Sequence, residues 1–137
     1  MNKPLIFLPI IALLHIQVAL TADQSSLELV ELWSIEGQFA DPESAVFDPI
    51  SGSVFVSNVN GYAKDGNGFI SRVDQTGENL QLQWMSGLNS PTGLTIAEGF
   101  LYAVDYDQLL KIDIATTSIV ARFRASDPKP ILNDVVW

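Results

Sequence analysis

One pattern recurs three times along this chain and limits its fold more than any single residue does. Trp33 is followed by Pro42-Glu43-Ser44-Ala45-Val46, Trp84 by Pro91-Thr92-Gly93-Leu94-Thr95, and Phe123 by Leu132-Asn133-Asp134-Val135-Val136. Pro42 to Pro91 is 49 residues, and Pro91 to Leu132 is 41. Trp33 to Trp84 is 51, and Trp84 to Phe123 is 39. The order within a unit is constant: an aromatic-ended run, a turn, an apolar run, a tight turn, and a run such as Val54–Asn58 or Leu101–Asp105.

The runs alternate with the period of a strand. They are Ala45–Phe47, Ser53–Val56, Phe69–Val73, Leu80–Trp84, Leu94–Ala97, Phe100–Val104, Leu109–Ile114 and Ser118–Phe123. Turn residues separate them, as at Asp48–Gly52, Asp65–Gly68, Gln75–Gly77 and Glu98-Gly99. Short alternating runs bounded by Gly, Asp, Asn and Pro predict an all-β protein. Four strands per repeat of 40–50 residues predict β-propeller blades. A blade is apolar on both faces, so it needs two neighbours, and a closed ring of roughly 4–8 blades supplies them. This chain holds about two blades and the start of a third. It is expected to be a piece of a ring, with assembly of several copies as the alternative. Leu29–Trp33 aligns with the outermost strands and is expected to complete the ring's last blade.

The N-terminus has a separate purpose. Lys3 precedes an apolar run, Pro4 to Leu20, and small residues follow at Ala19, Thr21 and Ala22. This predicts a signal peptide over residues 1–22, and the propeller piece over 23–137. Export would be to a periplasm or to the outside. The alternative is an uncleaved membrane anchor, against which the run is shorter than the roughly 20 apolar residues that span a bilayer and is interrupted by His15 and Gln17.

Composition then excludes whole classes of chemistry. The chain has no Cys, and its one His is in the leader. Residues 23–137 therefore lack a thiol nucleophile, a His base and a Cys/His zinc site. With Lys3 also in the leader, 16 acidic and 6 basic residues remain, a balance of −10. Such a surface repels nucleic acid. It suits a hard cation held by oxygen atoms.

Pro42–Pro49 followed by Gly52–Asn58 resembles the first blade of the SMP-30/gluconolactonase/LRE-like propellers. Leu132–Val136 is similar to the Asn-Asp strand start that recurs in that family, and the likeness extends over residues 29–137. It implies a six-bladed ring of the calcium-dependent phosphotriesterase superfamily, with one divalent cation, commonly Ca²⁺, in the central channel. Some members hydrolyse lactones. By position, Glu43 matches the first-blade metal ligand, and Asn133 an Asn facing cation or substrate. The sequence departs from the family's Gly-Glu-Gly-Pro, having Asp41-Pro42-Glu43-Ser44, and Thr92 occupies another possible ligand position.

The implied function is an exported hydrolase of lactones or related esters. The alternatives are a non-catalytic propeller binding a small ligand or a protein, or an inactive fragment. Glu43 and Asn133 are the candidate metal ligands. Asn133 and Asn58 are the candidate substrate contacts. Each has a plainer reading: Glu43 as a turn cap, Asn133 as a turn-bonding side chain, and Asn58 as part of a solvated rim loop. Asp134 is expected to close the strand start, and Asp105 and Asp107 to serve turns. Residues 63–74 mimic an EF-hand loop, but begin with Ala63, end with Asp74 and are flanked by strand patterns. Trp33, Trp84 and Phe123 are expected to pack between blades.

Overall fold

The computed structural model describes residues 28–126 and 131–137. The leader reading therefore lies outside the described residues. The chain divides after Val30. Of the first unit, residues 28–30 are described, and they are exposed and irregular.

The second unit is all-β among the described residues. It contains β1 (Pro42–Asp48), β2 (Ser53–Asn58), β3 (Gly68–Asp74), β4 (Gln81–Leu88), β5 (Pro91–Ala97), β6 (Phe100–Asp105), β7 (Gln108–Asp113) and β8 (Ser118–Arg124). They form two four-stranded antiparallel meanders, ordered β1-β2-β3-β4 and β5-β6-β7-β8. No helix among the described residues is long and apolar enough to cross a membrane.

The two sheets repeat each other in register. Pro42 pairs with Asn58, and Ala45 then pairs with Val56, leaving Glu43 and Ser44 in a bulge. Pro91 pairs with Asp105, and Leu94 then pairs with Ala103, leaving Thr92 and Gly93 in the equivalent bulge. Both strands begin on a proline, which has no N–H to give to a ladder and is tolerated at a strand's first residue. The bulge bends the strand just after it. In the first sheet the Ser57 hydroxyl accepts from Ser44 N (3.0 Å), closing that bend.

Strand alternation turns one set of apolar residues inward. Phe55, Ile70, Met85, Leu88, Leu94, Leu101, Leu110 and Ile112 belong to one buried cluster that spans both sheets. β5 is the strand that approaches the first sheet, lying against β1 and β2. Glycine permits this approach. A Cβ on Gly68 would stand 2.5 Å from Pro91 Cδ, and one on Gly93 would stand 2.6 Å from Asp134 Cα. Thus β3 admits the start of β5, and β5 admits residues 131–137, each at a position with no side chain.

Glu31–Trp33 forms no strand; the Trp33 indole Nε1 donates to Gln75 O (2.9 Å) and its ring covers Gly77 in the β3–β4 turn. Among the described residues no third sheet offers this segment an edge, and its expected place in a ring's last blade lies outside these two sheets. Trp84 packs on the common cluster, 4.8 Å from the Phe55 ring, and Phe123 on β8 is 54% exposed.

Candidate functional site

The candidate residues gather where β1, β5 and residues 131–137 begin. A device common to the two sheets, one polar residue ending the second strand, sets the backbone there. In the first sheet it is Asn58, fully buried. Its Oδ1 accepts from Ala40 N (3.0 Å), and its Nδ2 donates to Val56 O (3.1 Å) and Ser71 Oγ (3.0 Å). In the second sheet it is Asp105. Its Oδ1 accepts from Asn89 N (2.7 Å) and Ser90 N (2.9 Å), and its Oδ2 from Asn89 Nδ2 and Gln108 Nε2. The amide of Asn58 is thus engaged with the framework on both sides. Asp105 serves a turn, in agreement with the plainer reading.

On this frame Glu43 and Thr92 take equivalent places, one in each bulge. Glu43 is exposed as a residue. Partial desolvation of its carboxyl, and then the negative charge of Asp134, hold it above the usual carboxylate value. Asp134 is brought there by backbone bonds. Leu132 N donates to Tyr106 O (2.8 Å), and Gly93 N donates to Asn133 O (2.8 Å). Asp134 Oδ1 accepts from Val135 N (2.8 Å), which is consistent with its expected part in closing the strand start. The Asn133 backbone carbonyl is therefore structural, while its side chain is exposed.

Two further features were not legible in advance. The first is the mutual charge of Glu43 and Asp134, which come from opposite ends of the sequence and carry no local spacing signal. Neither is in an ion pair among the described residues. The second is the deep burial of Thr92, a residue the repeat aligns with Glu43. Thr92 is 2% exposed, and its Oγ1 has no hydrogen-bond partner among the described residues. A buried hydroxyl without a partner is costly, on the order of 1–3 kcal/mol.

Chemically, a carboxyl raised by partial desolvation and by a neighbouring negative charge gains from a cation placed beside it. The candidate side chains Glu43, Asp134, Asn133 and Thr92 all offer oxygen atoms. That set favours Ca²⁺ or another hard ion over zinc or copper. Among the described residues there is no group of three or more His, Cys, Asp or Glu side chains.

The long loop after β2 stands beside this region. Lys64 pairs with Asp107 (2.5 Å) and lies 5.1 Å from the Tyr106 ring centroid. The Ser90 hydroxyl accepts from Ala63 N (3.0 Å) and faces Ala63 O (2.9 Å) and Gly61 O (3.1 Å). The loop is therefore tied to the second sheet. Asp65 bonds Asn67 through both carboxylate oxygens, and Gly68 begins a strand, so the EF-hand likeness stays one of sequence.

No family model and no curated protein matches this chain. Solved structures do, among them a chain of a crystallised nidogen/laminin complex, at 16% identity and a TM-score of 0.36, covering 70% of this chain and 51% of that one. The present chain thus spans about half the length of that neighbour, and nothing about activity passes between the two at this likeness.

Proposed function

We propose that this chain is the first part of an exported β-propeller that binds a divalent cation, Ca²⁺ by its donor chemistry, at the starts of its innermost strands. The single observation that carries the reading is that the Gly93 N to Asn133 O bond seats Asp134 against the β5 bulge, the counterpart of the bulge that holds Glu43, with no basic side chain paired to either carboxylate among the described residues. The two sheets with the same bulge support the blade reading. So do the apolar outer positions Phe47, Val120 and Phe123, each about half exposed, which neighbouring blades would cover.

Glu43, Asp134 and the Asn133 side chain would hold the ion, with the Thr92 hydroxyl adjacent in the strand pattern. These provide fewer oxygens than the 6–8 that Ca²⁺ takes, so water completes the shell in this reading. When bound, such an ion polarises a lactone carbonyl and favours the charge that develops on its oxygen. The chain's own residues bind and orient. The protein's acidity would disfavour anionic substrates and favour a neutral lactone or ester.

The test is calcium-dependent stabilisation, followed by hydrolysis of a small sugar lactone. The reading expects Ca²⁺ to raise the thermal midpoint of the wild type, and Glu43→Gln to lose both that rise and any turnover. An unchanged midpoint in Ca²⁺ removes the cation site. Stabilisation without turnover leaves a propeller that binds its ligand and does no chemistry.

A further inference from the structure

At the opposite ends of the same strands lies a cavity of about 290 Å³. The β1–β2 turn supplies Ile50 and Ser51, β3 supplies Arg72, and the β7–β8 turn supplies Ile114 and Ala115. Asp48 also lines it, but this carboxylate is already occupied. It accepts from Ile50 N (3.1 Å), Ser51 N (3.2 Å) and the Ser51 hydroxyl (2.6 Å). Burial raises its pKa, but those three donors and the Arg72 charge outweigh burial and leave the group below its ordinary value. Asp48 therefore remains ionised and satisfied.

Arg72 is held differently. Its Nε donates to Ser53 Oγ (2.9 Å), and its guanidinium carbon stands 5.8 Å from the Phe55 ring centroid. One edge and one face are thereby fixed. No hydrogen bond or ion pair among the described residues engages its two Nη groups. A guanidinium pinned at Nε and open at Nη presents the fork that pairs with a carboxylate. The other walls are the apolar side chains of Ile50, Ile114 and Ala115. The volume is near the lower limit for small-ligand pockets.

The geometry points to a binding site for a small monocarboxylate with an apolar body. The carboxylate pairs with Arg72, and the hydrocarbon lies against Ile50, Ile114 and Ala115. A single cation beside an ionised Asp48, in an acidic protein, does not suit a dianion such as phosphate. The site is separate from Glu43 and does not depend on a cation there.

The probes are hexanoate and its neutral counterpart hexanamide, titrated calorimetrically into the full chain in EDTA. Hydrogen bonds to charged groups give an expected preference of about tenfold or more for hexanoate. Arg72→Gln is expected to abolish the preference, and Arg72→Lys to retain only part of it. Ala115→Phe fills the cavity from an exposed turn position. It is expected to block both probes without lowering the thermal midpoint. Glu43→Gln is expected to leave hexanoate affinity unchanged. The proposal is overturned by equal affinity for the two probes, by undiminished binding in the folded Ala115→Phe variant, or by no saturable binding of hexanoate.

Discussion

Replacing Asp105 by Ala is the sharpest test of how the second sheet is built. The carboxylate is 1% exposed and accepts four hydrogen bonds, two of them from the consecutive backbone amides of Asn89 and Ser90. Removing it orphans those two N–H groups and frees the side chains of Asn89 and Gln108. An orphaned buried donor costs about 1–3 kcal/mol, and water entering the small space offsets part of that, so a loss of about 3–5 kcal/mol is expected. Asp105→Asn is the informative control. Its oxygen can keep the two backbone donors, while its NH₂ meets two other donors. Gln108 Oε1, however, is buried and has no partner among the described residues. Turning the Gln108 amide would give that NH₂ an acceptor, so about 1–2 kcal/mol is expected. Asn58, an amide in the equivalent place, shows that this chemistry is workable. Urea unfolding measures both variants. With a slope of about 1.5 kcal/mol/M, Asp105→Ala should lower the midpoint by about 2–3 M. Amide exchange at Asn89 and Ser90 should accelerate most. A loss under about 1 kcal/mol with those two amides still protected, or an Asn variant as damaged as the Ala variant, refutes the reasoning.

Gly93→Ala puts a Cβ 2.6 Å from Asp134 Cα and 2.9 Å from Asn133 O. A cost of about 1–3 kcal/mol is expected, with faster exchange at Leu132 and a Glu43 carboxyl that titrates closer to its ordinary value by carbon NMR. Because the Glu43 pKa is raised in the fold, the stability linked to it is complete below the ordinary carboxylate pKa. It is lost as pH rises through the raised value. Glu43→Gln should flatten that decline in urea midpoints measured across pH without Ca²⁺. Asp74 has the opposite sign. The Thr76 hydroxyl, the Asn79 amide, and Glu78 N and Thr76 N hold its carboxyl well below the usual range. Its contribution is present above the ordinary value and is lost as pH falls through the lowered one. Asp74→Asn should therefore destabilise at neutral pH and converge with the wild type in strong acid.

All eight strands were legible as alternating runs, because each sheet turns one set of side chains into the cluster. The first residues of β2, β6 and β8 were also legible, but those of β1 and β5 were not. The bulges after Pro42 and Pro91 extend β1 and β5 beyond their apolar runs, and alternation carries no sign of an unpaired residue. The repeat did place Glu43 and Thr92 correctly as equivalents. Leu29–Trp33 is not paired here, since a strand-like run becomes a strand only where an edge accepts it and the two described sheets offer it none. Asn58 read as a loop residue, since a buried amide that caps a neighbouring backbone looks in sequence like any turn Asn. The Arg72 cavity was not legible at all. It is assembled from three turns and strands far apart in the chain, and each contributing residue alone has an ordinary role.

The most direct measurement is the number of protons released when Ca²⁺ binds, from calorimetry in two buffers of different ionisation heat at each of several pH values from the ordinary carboxylate range upward. A proton held by the raised Glu43 carboxyl must leave before that carboxyl can bind a cation. The account predicts saturable binding with proton release in the wild type, and loss of both in Glu43→Gln. Absence of binding, or binding with the same proton count in wild type and Glu43→Gln, would contradict the cation site.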